Sequence, residues 1–87
     1  MVNTILRIPS ISQQTGYARS TIYLRINEGL LPQLIKLGTR ASGLPAYEVE
    51  AINAARIAGK SADDIRALVK RLEAARDSLI VEGSGYE

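Results

Sequence analysis

The sequence has no cysteine and no histidine among its 87 residues. Disulfide bridges and zinc sites built from these two residue types are therefore excluded. A histidine base and a cysteine nucleophile are missing for the same reason. We expect no catalytic residues, no metal and no cofactor, so the chain is not expected to be an enzyme.

A long apolar run is also lacking. A membrane-spanning helix needs roughly 18 or more apolar residues in succession, whereas the apolar patches of residues 1–15 are interrupted by Asn3, Arg7 and Pro9. No membrane partner is predicted, and the absence of a targeting segment favours a cytoplasmic protein. The chain length allows one domain with a small core.

Charge of one sign is not in large excess, because the formal net charge is only +2. Its distribution along the chain is uneven. Residues 1–40 carry five basic side chains against the acidic Glu28, a net charge of +4, whereas residues 41–87 carry a net charge of −2. A partner with phosphate groups is therefore expected to bind the first half of the chain.

Glycines mark the ends of two predicted helices. After an apolar run at residues 5–8, which is a short strand or an extended lead-in, a helix is predicted from an N-cap at Ser10 to Gly16. A second helix is predicted from about residue 18 to residue 28, with Gly29 as its C-cap. Two helices joined by a tight turn with glycine form a helix-turn-helix.

A hairpin and two further helices complete the prediction. Residues 35–37 alternate apolar and basic side chains, as in a strand, and residues 38–43 read as a hairpin loop. Pro45 suits the first turn of a third helix, and Ser61 opens a fourth helix, residues 61–81. The predicted fold is mostly α with a small β-hairpin, a winged helix-turn-helix with an additional C-terminal helix. One domain is expected at residues 1–81 and a disordered tail at residues 82–87.

The second predicted helix has two different faces. Ile22 and Ile26 lie four residues apart on the face that would contact the core. The opposite face carries Ser20, Tyr23, Leu24 and Asn27. Its hydroxyl and amide groups can hydrogen-bond base edges, and its leucine can contact a thymine methyl group. Its tyrosine, together with Arg19, suits phosphates at the groove edge. The alternative interpretation is an ordinary surface helix, which would show the same amphipathic pattern.

The hairpin that follows is basic. Lys36 and Arg40 flank a tip that contains Gly38 and Thr39. A narrow basic hairpin beside a recognition helix can contact phosphates or enter the minor groove. Lys36, Thr39 and Arg40 are therefore candidate DNA-binding residues, and the alternative is an edge hairpin whose lysine prevents aggregation.

Two stretches resemble one family. Residues 15–23 (TGYARSTIY) look like the helix-turn-helix of the AlpA family of phage and mobile-element regulators, and residues 36–43 (KLGTRASG) resemble its wing. Residues 28–32 (EGLLP) and 58–66 (AGKSADDIR) are similar to segments of the MerR family. Together the similarity covers about residues 7–72.

The resemblance implies a MerR/AlpA-like winged helix-turn-helix protein that binds double-stranded DNA in a bacterial or phage-infected cytoplasm. Members of the family act as transcriptional regulators or as excisionases, the recombination directionality factors that direct an integrase towards excision. Carried over by position, the DNA contacts would come from Arg19, Ser20 and Tyr23 of the recognition helix and from Lys36 and Arg40 of the wing. An integrase is the partner implied by the excisionase role.

The chain departs from the family pattern at two places that affect stability. Ala18 stands where the family usually has a helix-capping serine, a change expected to cost about 1 kcal/mol at the start of the recognition helix. Leu44 stands where a tryptophan is usual, which removes a large apolar anchor after the wing.

The last predicted helix carries an apolar stripe with heptad spacing. Its members Ile65, Leu68, Leu72 and Leu79 are candidates for a homodimer contact, and packing of the stripe on its own domain is the other interpretation. The alternative function is accordingly a protein-interaction module that dimerises through this helix without direct DNA binding. Salt-dependent DNA binding separates the two classes.

The spacing of the acidic residues indicates a structural role and not a catalytic one. The pairs Glu48/Glu50 and Asp63/Asp64 do not have the spacing of three or four residues that brings side chains together on a helix. They are better explained as acids near helix starts, where the helix dipole favours negative charge.

Overall fold

The computed structural model describes residues 4–77. Within these residues the elements are β1 (Ile5–Arg7), α1 (Ile8–Thr15), α2 (Arg19–Asn27), β2 (Ile35–Lys36), β3 (Ser42–Pro45), α3 (Ala46–Ile57) and α4 (Ala62–Ala75). This mostly helical fold with a small antiparallel sheet is the predicted winged helix-turn-helix. Residues 78–81, the end of the last predicted helix, and the predicted tail at residues 82–87 lie outside the described part of the chain.

The turn between α1 and α2 is fixed by side chains of α1. Gly16 ends α1 with φ of 80°, in the left-handed region that favours glycine. The hydroxyl of Ser12 donates to the carbonyl oxygen of Tyr17 at 2.6 Å. The hydroxyl of Thr15 donates to the Ile11 carbonyl oxygen at 2.7 Å and accepts from the Tyr17 amide at 3.2 Å. Both backbone polar groups of Tyr17 are therefore bound to α1, which orients α2.

Helix α1 begins three residues earlier than the sequence predicted. Its N-cap is Arg7 rather than Ser10, and the Arg7 side chain makes no capping hydrogen bond. Pro9 lies in the first turn, where proline is tolerated because the amides of that turn have no intrahelical partner. The proline therefore starts the helix instead of delaying it.

The wing belongs to a sheet of three strands in the order β1-β3-β2, both pairs antiparallel. The predicted hairpin is β2 and β3, and β1 adds the third strand, with Arg7 opposite Gly43. A Cβ atom on Gly43 would lie 2.9 Å from Ile5 Cγ2 and closer still to the Leu6 carbonyl oxygen, so the pairing requires glycine. Pro45 is the last residue of β3 and the N-cap of α3, one position before the first helical turn predicted for it.

The core is built from every helix and from the wing. Its buried apolar residues are Ile8, Ile11, Ile22, Ile26, Leu31, Leu44, Val49, Ile52, Ile65 and Val69. Leu44 is fully buried, so the leucine still anchors the wing to the core where a tryptophan was expected. On α4, Ile65 and Val69 are buried, and Leu68 and Leu72 pack partly against the same core. The described part of the apolar stripe thus contacts its own domain, and Leu79 lies outside the described residues.

A buried ion pair joins α3 to the end of α4. The Glu48 side chain in the first turn of α3 is 0% exposed, and Arg76 binds it through two hydrogen bonds of 2.9 and 2.7 Å. The hydrogen bond to Glu48 raises the pKa of Arg76 above its ordinary value. Glu48 lies in a first turn, as predicted, but its carboxylate depends on a partner 28 positions along the chain.

Removal of the arginine from this pair should unfold much of the protein. Arg76→Met leaves the buried carboxylate unpaired, a loss of about 3–5 kcal/mol, comparable with the total stability of about 5 kcal/mol expected for a small domain. The double variant Glu48→Met/Arg76→Met removes both charges and should regain most of the loss. Urea denaturation followed by circular dichroism measures both variants, and equal stability of Arg76→Met and the unsubstituted protein would contradict the structural role of the pair.

A serine at the start of α2 should stabilise the fold. Ala18 is the N-cap of α2 in an extended conformation and makes no side-chain cap, whereas the hydroxyl of Ser61 caps α4 by accepting from the Asp64 amide at 3.1 Å. Ala18→Ser should add about 1 kcal/mol and raise the melting temperature by roughly 4–8 °C. Ala67→Ser, in the middle of α4, is the matched control and should not stabilise, because serine is a poorer helix former than alanine.

Candidate nucleic-acid interface

Helix α2 presents the two faces that its sequence predicted. Ile22 and Ile26 are buried in the core. The other face, Ser20, Tyr23, Leu24 and Asn27, is exposed, as is Arg19 at the first position of the helix. Tyr23 and Leu24 are 43% and 48% exposed, which is high for large apolar side chains. This face of α2 therefore presents both apolar and polar side chains to the solvent.

Both ends of α2 have defined geometry. At the start, the Arg19 guanidinium lies 5.8 Å from the centroid of the Tyr23 ring. At the end, Gly29 has φ of 80°, and the amides of Gly29 and Leu30 donate to the carbonyl oxygens of Ile26 and Arg25. This is a Schellman motif, which ends the helix by satisfying its last carbonyl groups.

Arg25 faces away from the exposed surface of α2. Its guanidinium donates to Glu28 at 2.6 Å and lies 5.6 Å from the Tyr17 ring. The hydrogen bond to Glu28 raises the pKa of Arg25 above its ordinary value. The charge of Arg25 is thus engaged within the domain, and it is not a candidate contact for an external anion.

The wing projects its predicted contact residues into solvent. Lys36, Thr39 and Arg40 are exposed, and the turn between them is closed by the Leu37 amide, which donates to the Ala41 carbonyl oxygen at 2.8 Å. The wing tip is therefore a short, structured turn.

A cleft of about 210 Å³ separates α2 from the wing. It is lined by Arg7, Ile8, Pro9, Arg19, Tyr23, Arg40 and Ser42. We name it the arginine cleft, because three guanidinium groups from β1, α2 and the wing surround it. Tyr23 and Ser42 add hydroxyl-bearing side chains, and no acidic residue lines the cleft, so its chemistry suits an anion.

The arginine cleft brings together only part of the predicted site. Arg19, Tyr23 and Arg40 were candidates from the sequence and meet there. Arg7 and Ser42 were missed. Arg7 was counted in the basic half of the chain, but only the pairing of β1 with β3 places it at the base of the wing. The remaining candidates, Ser20, Leu24, Asn27, Lys36 and Thr39, are exposed but do not line the cleft.

The cations of this surface are not used in ion pairs within the described part of the chain. In residues 4–77, Arg7, Arg19, Lys36 and Arg40 form no ion pair. The ion pairs of this part of the chain involve Arg25, Arg66 and Arg76 instead. The positive charge around the cleft is therefore available to an external partner.

Other kinds of site find little support in the described part of the chain. It contains no cluster of three or more acidic side chains placed to bind a metal ion. None of its helices has the length and apolar character needed to cross a membrane.

Comparison with protein families identified the family of this chain. The family model described as Prophage CP4-57 regulatory protein (AlpA) matches residues 4–56, which extend from the start of β1 to the last turn of α3 and cover more than half of the chain. Comparisons with curated proteins and with solved structures gave no match. The matched residues contain the helix-turn-helix, the wing and all three arginines of the cleft, so the resemblance seen in residues 15–23 and 36–43 is confirmed. The chain belongs to the AlpA family of prophage regulatory proteins.

Proposed function

We propose that this protein binds double-stranded DNA without catalysing a reaction, and that it regulates transcription or excision of a phage or other mobile element. Helix α2 would enter the major groove, and the wing would contact the adjacent backbone. The observation that carries the proposal is the arginine cleft between the recognition helix and the wing, whose three arginines form no ion pair among residues 4–77.

The position of the cleft fits a backbone phosphate. When a recognition helix lies in the major groove, the phosphates of the groove edge pass beside it, and here the space beside α2 is the arginine cleft. A guanidinium group donates two parallel hydrogen bonds to a phosphate. The start of α1 also lies there, because Ile8 and Pro9 line the cleft, and α1 has no acidic residue in its first turn. Its positive dipole end would attract the same phosphate.

Sequence preference would come from the exposed face of α2. The Asn27 side chain can pair with adenine through two hydrogen bonds, and the Ser20 hydroxyl can donate to or accept from several bases. Leu24 can contact a thymine methyl group. Tyr23 lines the arginine cleft, so its hydroxyl would contact phosphate rather than a base.

The two cellular roles require the same DNA contacts. As an excisionase the protein would have an integrase as its partner, and as a transcription regulator it would act at a promoter. Either role places the protein in the cytoplasm with the DNA. A homodimer or cooperative assembly on DNA is compatible with both roles.

The alternative, an interaction module that dimerises through α4 without binding DNA, has less support. Ile65 and Val69 are buried in the core of the same chain, and Leu68 and Leu72 are partly covered by it. Self-packing thus uses most of the described stripe, whereas the cations around the cleft form no ion pair among residues 4–77.

Binding to duplex DNA should depend strongly on salt. If Arg7, Arg19, Lys36 and Arg40 each neutralise one phosphate, the logarithm of the association constant should fall with the logarithm of salt concentration at a slope near −4. Fluorescence anisotropy over a salt series measures the slope. The absence of binding to any duplex at low salt would refute the proposal.

Two substitutions should separate phosphate contact from base contact. Arg7→Ala removes a cleft guanidinium and should weaken binding to all sequences alike, with the salt slope reduced by about 1. Asn27→Ala should cost about 1–3 kcal/mol on a preferred sequence and much less on random DNA. Arg71→Ala, which removes an exposed cation of α4, is the control and should leave binding nearly unchanged. An equal loss for Arg71→Ala and Arg7→Ala would show that the cleft is not the phosphate site.

A further inference from the structure

We propose that α4 acts as a brace that fixes the distance between the recognition helix and the wing, with Arg66 and Glu73 as positioning residues for DNA binding. The inference rests on the proposed function, because the distance matters only if both elements contact one duplex. It concerns residues 28–34, the linker that runs from the end of α2 to the start of β2.

The first end of the linker is held by Arg66. Its Nε donates to the Glu28 carbonyl oxygen at 2.8 Å, directly after the last residue of α2. The Arg66 side chain also covers Gly29, where a Cβ atom would lie 3.7 Å from Arg66 Cγ. The end of the recognition helix is thus bound to α4.

The second end of the linker is held by the last turn of α4 and the residue after it. The Gln33 amide donates to Glu73 Oε2 at 2.8 Å, and the Gln33 carbonyl oxygen accepts from Arg76 Nη2 at 2.9 Å. Both backbone polar groups of Gln33 are therefore bound by this region, two residues before β2 begins at Ile35.

The middle of the linker is buried. Leu31 and Pro32 are less than 2% exposed, and Leu31 belongs to the same core as Ile65 and Val69 of α4. The linker is therefore anchored at both ends by polar contacts and between them by apolar packing. The amides of Glu28, Gly29 and Leu30 are also bound to carbonyl oxygens of α2. Residues 31–34 belong to no helix or strand, so the contacts with α4 and with the residue after it hold that part of the linker.

The contacts between α4 and the linker affect the geometry of the arginine cleft. Arg19 lies on α2 and Arg40 on the wing, and both line the cleft. A phosphate can be bound by both only if the two elements keep a fixed separation, and the linker that joins them is bound by α4. Helix α4 lies outside the residues matched by the family model, so the brace is a feature of this chain beyond the matched part of the family.

A double-mutant cycle tests positioning against simple stability. The brace variant Arg66→Met/Glu73→Met removes two of the three side-chain hydrogen bonds to the linker backbone, keeps that of Arg76, and leaves the net charge unchanged. Lys70→Met/Asp64→Asn is the matched control, because it also removes one charge of each sign from α4. Neither control side chain makes a hydrogen bond or ion pair in residues 4–77. Each protein is prepared with and without Arg40→Ala, and melting curves ensure that all are folded at the temperature of measurement.

The probe is a duplex enriched by the unsubstituted protein from a random-sequence pool. In the unsubstituted and control backgrounds Arg40→Ala should weaken binding by about tenfold, as expected for a charged hydrogen bond. In the brace variant the same change should weaken binding by about threefold or less, because the wing no longer reaches the phosphate together with α2. A loss of stability alone would leave the Arg40→Ala factor unchanged.

The outcomes are distinguishable. Equal Arg40→Ala factors in the brace and unsubstituted backgrounds would overturn the brace and leave DNA binding intact. Failure of the unsubstituted protein to enrich or bind any duplex would refute the proposed function, and the brace with it. If the double variant does not fold, Arg66→Met alone replaces it, since the Arg66 side chain is 44% exposed and its loss leaves the core intact.

Discussion

The structure depends on one buried carboxylate. Glu48 is completely enclosed between α3 and the end of α4, and a buried carboxylate without a partner is strongly destabilising. Arg76 supplies two hydrogen bonds to it and a third to the Gln33 carbonyl oxygen. A single guanidinium group therefore joins α3, α4 and the linker before the wing. The linker between the recognition helix and the wing is therefore tied to this junction.

Among residues 4–77, the ion pairs use arginines that do not line the arginine cleft. The described ion pairs use Glu28, Glu48 and Asp63, and each of these acids binds an arginine outside the arginine cleft. Glu73 binds a backbone amide. The cations around the cleft consequently keep their charge for an external anion. A net charge of only +2 is compatible with phosphate binding, because the field near the cleft depends on local charge and not on the total.

Local signals in the sequence were sufficient for the helix-turn-helix and the wing. Gly16 and Gly29 both adopt positive φ at the helix ends where the sequence placed them. The spacing of Ile22 and Ile26 identified the buried face of α2 and, by difference, its exposed face. These features are encoded within a few neighbouring residues, so they can be read without knowledge of the tertiary structure.

Contacts between distant parts of the chain could not be predicted from neighbouring residues in the sequence. The pairing of β1 with β3 joins residues about 40 positions apart, and only this pairing places Arg7 in the cleft. The Arg76 partner of Glu48 was equally hidden, because neither residue type nor spacing distinguishes it from other surface arginines. The start of α1 was misplaced for a local reason, since Ser10 is a good N-cap but Pro9 already suits the first turn of a helix.

The most direct test of DNA binding through the cleft is nuclear magnetic resonance of ¹⁵N-labelled protein titrated with a duplex that the protein itself selects. The account predicts that the guanidinium signals of Arg7, Arg19 and Arg40 and the amides of α2 shift together, while those of Arg71 on α4 do not. Shifts confined to the exposed residues of α4, or no shift at any site at low salt, would contradict it.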